Sequence, residues 1–224
     1  MAKIIFDIET VGDVLESFDE TTREHLLKFA KTDEEQQVVK DTMSFYPVTA
    51  RIVTIAMLEL ETEKAFVYYL VPDGQLQKVH EGEAEYFSVN QEKQLLELFW
   101  ARIAKYEQFI TFNGRAFDCP FIMIRSAVNR LKAAKNLMPD RYRSLAHIDL
   151  MEKLTFLGAF RRKFSLHVWC NAFGIKSPKD GGVSGDQVKS FFEEKRFLDI
   201  AKYCLGDVVA TRELYRYWEQ YINF

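Results

Sequence analysis

The sequence predicts an α/β domain in which a central sheet carries helices on both of its faces. Three observations lead to this prediction. The chain has 224 residues, enough for one domain with a buried sheet. Residues 4–10 form an almost continuous apolar run of β-formers, typical of a buried central strand. Strand-like and helix-like segments then alternate without a repeat or a linker, so we expect a single domain over residues 1–224.

The composition narrows the classes of function. A net charge of −3 gives no basic field of the kind that tight, nonspecific duplex binders present, although it is compatible with an enzyme that holds phosphates through metal ions. The three cysteines form no C-x-x-C pair and predict buried thiols in a reducing compartment. No signal peptide and no apolar run of membrane length occurs, so we expect a soluble, cytoplasmic protein without a membrane partner.

The N-terminal half predicts an antiparallel meander with a polar insertion. Residues 11–45 are charge-rich with partial helical spacing, and we expect a helical insertion that covers an edge of the sheet. Residues 52–58 and 65–71 have strand composition on either side of a turn, so they should pair with the first strand. Residues 75–88 show no clear pattern and are predicted to be irregular. A helix follows, over about residues 90–106.

The C-terminal half continues with alternating strands and helices. Residues 109–112 predict a short strand, and the next helix should begin near Pro120 with an apolar face that includes Phe121, Ile124 and Val128. The remaining predicted elements are a strand at 146–150, helices at 166–173 and 186–195, a glycine-rich loop at 174–186 and a closing helix at 197–217. Whether that loop contacts a substrate stays open.

Two carboxylates, Asp7 and Glu9, interrupt the first apolar strand. Side chains alternate along a strand, so these two acids point to the same face and lie side by side. Two unit charges about 4 Å apart repel by roughly 1–4 kcal/mol, so a buried strand tolerates the pair only beside a cation or with one acid protonated. Oxygen ligands favour Mg²⁺ or Mn²⁺. The alternative is a solvent-exposed strand end that carries two acids.

Three more polar residues occupy positions that suit a site. Asp118 lies between a predicted strand and a predicted helix, a junction where α/β folds often place functional groups. Tyr203 and Asp207 are four residues apart on the closing helix, so they project to the same side, one turn apart. Taken alone, Asp118 could equally be a helix cap, and Tyr203 with Asp207 a hydrogen-bonded surface pair.

Three short motifs, in order, resemble known exonuclease motifs. Residues 6–10, Phe-Asp-Ile-Glu-Thr, resemble the first motif of the DEDD superfamily. Residues 112–118, Phe-Asn-Gly-Arg-Ala-Phe-Asp, resemble the second motif of the proofreading domain of family B DNA polymerases. Residues 203–207, Tyr-Cys-Leu-Gly-Asp, resemble the third motif in its tyrosine form, because the histidine form would need His where this chain has Lys202. The likeness extends beyond the motifs to nearly the whole chain.

The resemblance implies a fold, an activity and a set of roles. The fold would be ribonuclease H-like, a mixed five-stranded sheet with helices on both faces. The activity would be 3′–5′ exonuclease action, mainly on single-stranded DNA, releasing nucleoside 5′-monophosphates with two divalent cations, Mg²⁺ or Mn²⁺. Asp7 would bridge both ions, Glu9 and Asp207 would complete the ligands of the first, and Asp118 would support the second. Tyr203 would orient the attacking water.

The second motif also suggests residues that contact the substrate. Asn113 and Phe117 would touch the terminal nucleotide, and Arg115 would meet a phosphate. The alternatives are a turn residue, a core aromatic and a solvated arginine. The basic residues at 161–163, with Lys176 and Lys179, predict either a groove that follows a nucleic-acid backbone or a solvated face. Three further polar residues are expected to be structural: Asp149, His147 and His167.

Two alternatives to a DNA exonuclease remain open from the sequence. The same chemistry could act on RNA or short oligoribonucleotides, since no residue pattern separates the two substrates. A nuclease-like domain could also bind nucleic acid or a partner without cutting, although none of the five motif positions has been lost. No polymerase portion accompanies the motifs, so a stand-alone enzyme that acts on a single-stranded 3′ end is expected, and any polymerase or repair partner is left open.

Overall fold

A computed structural model describes residues 2–142, 145–177 and 185–223 of the chain. Its central feature is one mixed sheet, which contains seven strands within these residues. They are β1 (Lys3–Gly12), β2 (Ala50–Glu59), β3 (Ala65–Leu70), β4 (Lys78–Glu81), β5 (Ala84–Val89), β6 (Gln108–Thr111) and β7 (His147–Asp149). Their order across the sheet is β4-β5-β3-β2-β1-β6-β7, so β1 lies in the interior of the sheet.

Eight α-helices accompany the sheet in the described residues. They are α1 (Glu20–Leu27), α2 (Asp33–Thr42), α3 (Glu92–Ile103), α4 (Asp118–Val128), α5 (Leu150–Leu154), α6 (Leu166–Ala172), α7 (Val188–Glu193) and α8 (Phe197–Tyr221). Short 3₁₀ turns at Leu15–Ser17, Met43–Phe45 and Gly185–Gln187 connect them. None of these helices is long and apolar enough to cross a membrane.

The strand alternation of β1 divides the core into two layers. Ile4, Phe6 and Ile8 pack into one layer with α3 and α4, whereas Ile5 packs into the other with α8. Helices therefore cover both faces of the sheet, which confirms the α/β prediction. The closing helix α8 packs one side into this core, because its residues at 201, 204, 208, 211 and 215 are all buried.

The number of strands is where the sequence-based prediction was wrong. The sheet has seven strands instead of five, because residues 75–88 contain β4 and reach into β5. Alternate residues of β5 are buried from Ala84 to Ser88, and β5 pairs in parallel with β3. The sequence hid this alternation, because the polar Ser88 is buried whereas the apolar Phe87 is only half-buried. The meander of β1, β2 and β3 is antiparallel as predicted.

Helix α4 also differs from its prediction. It begins at Asp118, two residues before Pro120, and it turns a different face to the core. Phe121 is buried as expected, but Ile122 is buried in place of Ile124, which is 41% exposed. Apolar residues surround this short helix on several sides, so their spacing alone did not identify the packed face.

The polar segment after β1 is helical, as its spacing suggested. It contains α1 and α2, each with a side-chain cap at its N-terminus, from Asp19 and Thr32. Neither helix has a buried residue. The segment contacts β1 and β2 through the turn at Met43–Phe45, so it lies against the interior strands of the sheet instead of an edge strand.

Strand β1 pairs with β2 over most of its length but with β6 only at its start, and this difference determines where the polar residues lie. Its antiparallel pairing with β2 runs from Ile4 to Gly12, with a register shift between Glu9 and Thr10. Its parallel pairing with β6 ends at Ile5. Beyond Ile5, the side of β1 that faces β6 is therefore open to groups other than a strand, at the carboxyl end where α/β sheets commonly bind ligands.

Candidate active site

The first pair of acids lies where strand alternation placed it. Asp7 and Glu9 are half-buried on a strand whose other residues from Ile4 to Val11 are buried. They share the face of Ile5, the face covered by α8. The register of the pairing between β1 and β2 shifts directly after Glu9.

Asp118 also contacts β1, although it belongs to another element, α4. It is the first residue of α4, it is only 3% exposed, and its Oδ1 accepts a hydrogen bond of 3.1 Å from the Ile8 backbone N–H. It thus uses a donor on the part of β1 that β6 does not cover. The helix-cap alternative is wrong, because Phe117 is the N-terminal cap of α4 and no side chain caps this helix. The Asp118 carboxylate therefore links α4 to β1 at Ile8, the residue between Asp7 and Glu9.

Tyr203 and Asp207 come from α8 and stand one turn apart. Their side chains hydrogen-bond each other. Both line a small cavity of about 190 Å³ together with Asp7. Tyr203 also lines a larger cavity that begins at Glu9. The two residues therefore belong to the space around the acids of β1, and the surface-pair alternative does not describe them.

The acids influence one another electrostatically. Burial raises the pKa of Asp7 well above its usual value, and the charges of Asp118, Asp207 and Glu9 raise it further. The pKa of Glu9 is raised in the same way by burial and by Asp207 and Asp118. Burial also raises the pKa of Asp118 to about 7, with contributions from Asp149 and Asp207. Acids brought together in this way require either bound protons or bound cations.

The donor set fits divalent cations. Ligand atoms of Asp7 and Glu9 lie within 4.8 Å of each other, and carboxylate oxygens are the ligands that Mg²⁺ and Mn²⁺ prefer. Burial and the neighbouring acids disfavour the ionised forms of Asp7 and Glu9, and a cation at this position would stabilise those ionised forms. Asp7 and Glu9 are thus close enough to share a cation, and the charges of Asp118 and Asp207 act on the same pair.

Cys204 is a member of this group that the sequence did not reveal as a site residue. Its Sγ lies 3.7 Å from Asp7 Oδ2 and 3.5 Å from the Asp7 carbonyl oxygen. Burial, and then the neighbouring acids, raise the pKa of this thiol, so it is held protonated and can donate to Asp7. Its position three residues before Asp207 on α8 was a usable signal, because that spacing places two side chains on one helix face.

His167 is the second residue that sequence reasoning treated only as structural. It lines the small cavity with Asp7, Tyr203 and Asp207. Its Nδ1 is 2.7 Å from Ser177 Oγ and its Nε2 is 3.0 Å from Asn171 Nδ2, so both ring nitrogens have partners. The ring therefore has the internal bonds expected of a structural histidine, although it also borders the site.

The loop of the second motif is held by Asp149. This buried carboxylate, 3% exposed, accepts hydrogen bonds from the backbone N–H groups of Asn113, Arg115 and Met151 at 2.9–3.0 Å. Asn113 has a φ of 62°, and Gly114 packs so closely on Thr111 that a Cβ there would overlap it. Asp149 has the structural role that the sequence suggested, and it directs the chain from β6 into Asp118.

Arg115 is neither solvated nor directed at open space. Its side chain is 8% exposed, its guanidinium lies 3.4 Å from Glu152, and it donates to the Pro139 carbonyl oxygen. The solvated alternative was therefore wrong, and the internal partners do not favour the predicted phosphate contact. His147 is also internal, because it is 5% exposed and bonds Thr111 through Nε2.

The other predicted substrate contacts lie at different places around the site. Phe117 is half-buried against Phe121 and lines the larger cavity with Glu9 and Tyr203. Asn113 is half-buried at the start of the second-motif loop. The basic residues at 161–163 and Lys176 are exposed, whereas Lys179 lies outside the described residues.

Comparisons with known proteins found a family model and solved structures that are similar to this chain. Residues 44–221 match the model of a family described as a predicted 3′-5′ exonuclease related to the exonuclease domain of PolB. The match includes Asp118, Tyr203 and Asp207 and begins after Asp7 and Glu9. No curated protein matches the chain in sequence.

A solved structure supports the fold. The family B DNA polymerase of the hyperthermophilic archaeon Pyrobaculum calidifontis is similar over 97% of this chain, with a TM-score of 0.60 and 15% sequence identity. The similarity covers 24% of that polymerase, so the chain spans about a quarter of its length. The fold is ribonuclease H-like. Because the family model covers most of the chain, the chain belongs to the family of predicted 3′-5′ exonucleases related to the exonuclease domain of PolB.

Proposed function

We propose that this chain is a metal-dependent 3′–5′ exonuclease of the tyrosine branch of the DEDD superfamily, which removes nucleoside 5′-monophosphates mainly from single-stranded DNA. The observation that carries the proposal is the grouping of Asp7, Glu9, Asp118 and Asp207, from two strand positions and two helices, into one set of interacting carboxylates. Membership of the exonuclease family supports the direction of cleavage.

Each acid has a place in the proposed metal site. Asp7 would contact both cations, Glu9 and Asp207 would complete the ligands of the first, and Asp118 would support the second. When bound, Mg²⁺ or Mn²⁺ would lower the pKa of water and neutralise charge on the phosphoryl group and the leaving 3′-oxygen. In the reaction, water oxygen attacks phosphorus, the bond to the 3′-oxygen breaks, and the shortened strand keeps a 3′-hydroxyl.

Tyr203 orients the attacking water. Burial and the charges of Asp207 and Glu9 raise the pKa of its hydroxyl, so the group stays protonated at neutral pH and cannot serve as a base. A protonated hydroxyl that bonds Asp207 has a fixed position, and its oxygen can accept a hydrogen bond from water. Phe117 contacts the terminal nucleotide from the wall of the larger cavity, where its ring is held by Phe121.

A labelled strand tests the proposal. A 5′-labelled, unpaired DNA oligonucleotide is incubated with Mg²⁺ or Mn²⁺ and either the wild type, Asp7→Asn or Asp199→Asn. Asp199 is the matched control, because it lies on α8 but pairs with Arg196 at the surface. We expect the wild type and Asp199→Asn to produce a ladder of shortened strands and nucleoside 5′-monophosphates, and Asp7→Asn to produce neither.

The same assay separates the alternatives. A matched RNA strand that is degraded faster than DNA would make the enzyme an RNA exonuclease with the same chemistry. A wild type that binds the strand as tightly as Asp7→Asn, with intact strand and both metals present, would make it a non-cutting binding domain and would end the proposal.

A further inference from the structure

A cavity of about 1270 Å³ begins at Glu9, Phe117 and Tyr203 and continues away from the metal-binding acids. It exceeds the roughly 300–1,000 Å³ of ordinary small-molecule sites. Most of its lining comes from four parts of the chain, namely residues 9–16, residues 40–45, the turn at residues 71–74, and α7 with the residues that follow it up to Phe197. Space therefore remains beyond a terminal nucleotide seated at the carboxylates.

Apolar side chains that are exposed or only half-buried line this cavity. Phe45 is 59% exposed and Val14 is 67% exposed, although Met43 beside Phe45 is buried and anchors the turn. Phe192 is half-buried, with its ring 5.1 Å from Phe197. Rings from separate segments, Phe45, Phe117 and Phe192, thus border one space. Exposed apolar groups gathered around one cavity indicate a binding surface, and aromatic rings are the platforms on which bases of any sequence stack.

Six acidic and four basic residues line the cavity, and four of these ten form two ion pairs. Arg51 hydrogen-bonds Asp13, and Lys40 lies 3.6 Å from Glu16. Lys189 and Lys195 are exposed and have no acidic partner within 4.0 Å among the described residues. Two lysines give only a weak attraction for phosphates, so affinity in this cavity has to come chiefly from the rings.

We propose that this cavity holds the unpaired strand that precedes the 3′-terminal nucleotide, with bases stacked on Phe45 and Phe192, and that the segment 13–45 thereby selects a single strand over a duplex. The inference rests on the proposed exonuclease function and assigns a role to a segment that lies almost wholly outside the family match, which begins at residue 44. A duplex cannot use these rings, because its base faces are already stacked on one another. An unpaired strand offers its base faces to the walls.

Comparison of two substrates separates an effect on strand binding in the cavity from an effect on the cleavage step. The first is an unpaired DNA oligonucleotide, and the second is the p-nitrophenyl ester of thymidine 5′-monophosphate, which has no upstream strand. The readout is the ratio of kcat/KM for the strand to kcat/KM for the ester. We expect Phe45→Ala and Phe192→Ala each to lower this ratio about tenfold, the effect of losing one stacked base, and Phe45→Trp to retain it.

Phe29→Ala is the matched control. Phe29 belongs to the same segment and is 83% exposed, but it does not line the cavity, so its removal leaves both rates unchanged. A wild type that cleaves both substrates, with a ratio that neither Phe45→Ala nor Phe192→Ala changes, overturns the inference while the exonuclease function stands. A wild type that cleaves neither substrate overturns both.

Salt dependence gives a second, independent measurement. Binding of a fluorescent unpaired strand to the inactive Asp7→Asn protein should weaken only slightly with salt, with a slope of log K against log salt of about −1.4 for two phosphate contacts. Lys189→Ala should reduce the slope by about 0.7. A steep slope that Lys189→Ala does not change would show that phosphate contacts elsewhere dominate, and it would contradict stacking in this cavity.

Discussion

At the scale of single residues, the site depends on acids whose ionised forms the protein itself disfavours. Asp118 replaces a strand neighbour by accepting the Ile8 N–H, and this hydrogen bond opposes the rise of its pKa without cancelling it. Asp7 accepts a hydrogen bond from the Cys204 thiol, and this bond likewise opposes the rise of the Asp7 pKa. These contacts hold the carboxylates in place. Bound cations would relieve the repulsion that remains between them.

Replacement of Asp7 by Asn should separate stability from activity. Asp7→Asn removes one of the repelling charges, so we expect the metal-free protein to unfold at a higher temperature than the wild type, while exonuclease activity is lost. Thermal unfolding in EDTA, followed by circular dichroism, measures the first effect. A marked loss of stability in metal-free buffer would argue against repulsion among the acids.

Replacement of Tyr203 by Phe should affect the rate more than the fold. The variant keeps the ring but loses the hydroxyl that bonds Asp207, so the water and the carboxylate lose their orienting partner. We expect the single-turnover rate to fall about 10–100-fold, as for other groups that position metal ligands. The melting temperature provides the control, and an unchanged rate would exclude a positioning role for the hydroxyl.

At the scale of elements, the short pairing of β1 with β6 creates the position that Asp118 occupies. Because this pairing ends at Ile5, the chain after β6 can turn through the second-motif loop and bring the start of α4 beside Ile8. Asp149, at the end of β7, holds that loop and also accepts from Met151 at the start of α5. The second-motif loop and the start of α5 therefore both depend on one buried carboxylate.

Loss of the Asp149 carboxylate should destabilise the protein through this loop. Asp149→Ala leaves buried backbone N–H groups without acceptors, and we expect the free energy of unfolding to fall by about 3 kcal/mol. Asp149→Asn retains one acceptor oxygen and should lose less. Urea denaturation measures both variants, and equal midpoints for Asp149→Ala and the wild type would refute the structural role.

At the scale of the whole molecule, distant parts of the chain contribute to one cluster of charge. The acids come from β1, α4 and α8, and the helical segment after β1 borders the larger cavity. Their coupling makes the stability of the metal-free protein a property of the entire fold, because unfolding separates all the acids at once. The dependence on pH follows from that coupling.

Stability without metal should increase as the pH is lowered. The folded-state pKa values of Asp7 and Glu9 are raised and that of Asp118 is about 7, whereas unfolded carboxyls titrate near 4. Between about pH 4 and pH 7 the folded protein therefore binds more protons than the unfolded chain, so the free energy of unfolding falls as pH rises through this window.

Thermal unfolding in EDTA from about pH 5 to about pH 8 measures this effect, and a falling melting temperature is expected. With Mg²⁺ or Mn²⁺ present, the cations stabilise the ionised acids and the dependence should become smaller. A melting temperature that rises with pH in EDTA would contradict the grouping of the acids.

Local periodicity determined the parts of the site that lie within one element. Alternation along β1 predicted that Asp7 and Glu9 share a face, and helical spacing predicted that Tyr203 and Asp207 share a side, because both rules depend only on backbone geometry. The motifs added the family and the ribonuclease H-like fold. The sequence by itself therefore determined the class of fold and predicted the set of acids.

The tertiary structure alone decided how separate elements meet. The bond of Asp118 to Ile8, the place of Cys204 beside Asp7 and the burial of Arg115 against Glu152 all join residues that are distant along the chain. The pairing of β5 with β3 likewise depends on a strand partner and not on its own mixed composition. Partners of this kind follow from long-range packing, which the spacing of residues within one segment does not contain.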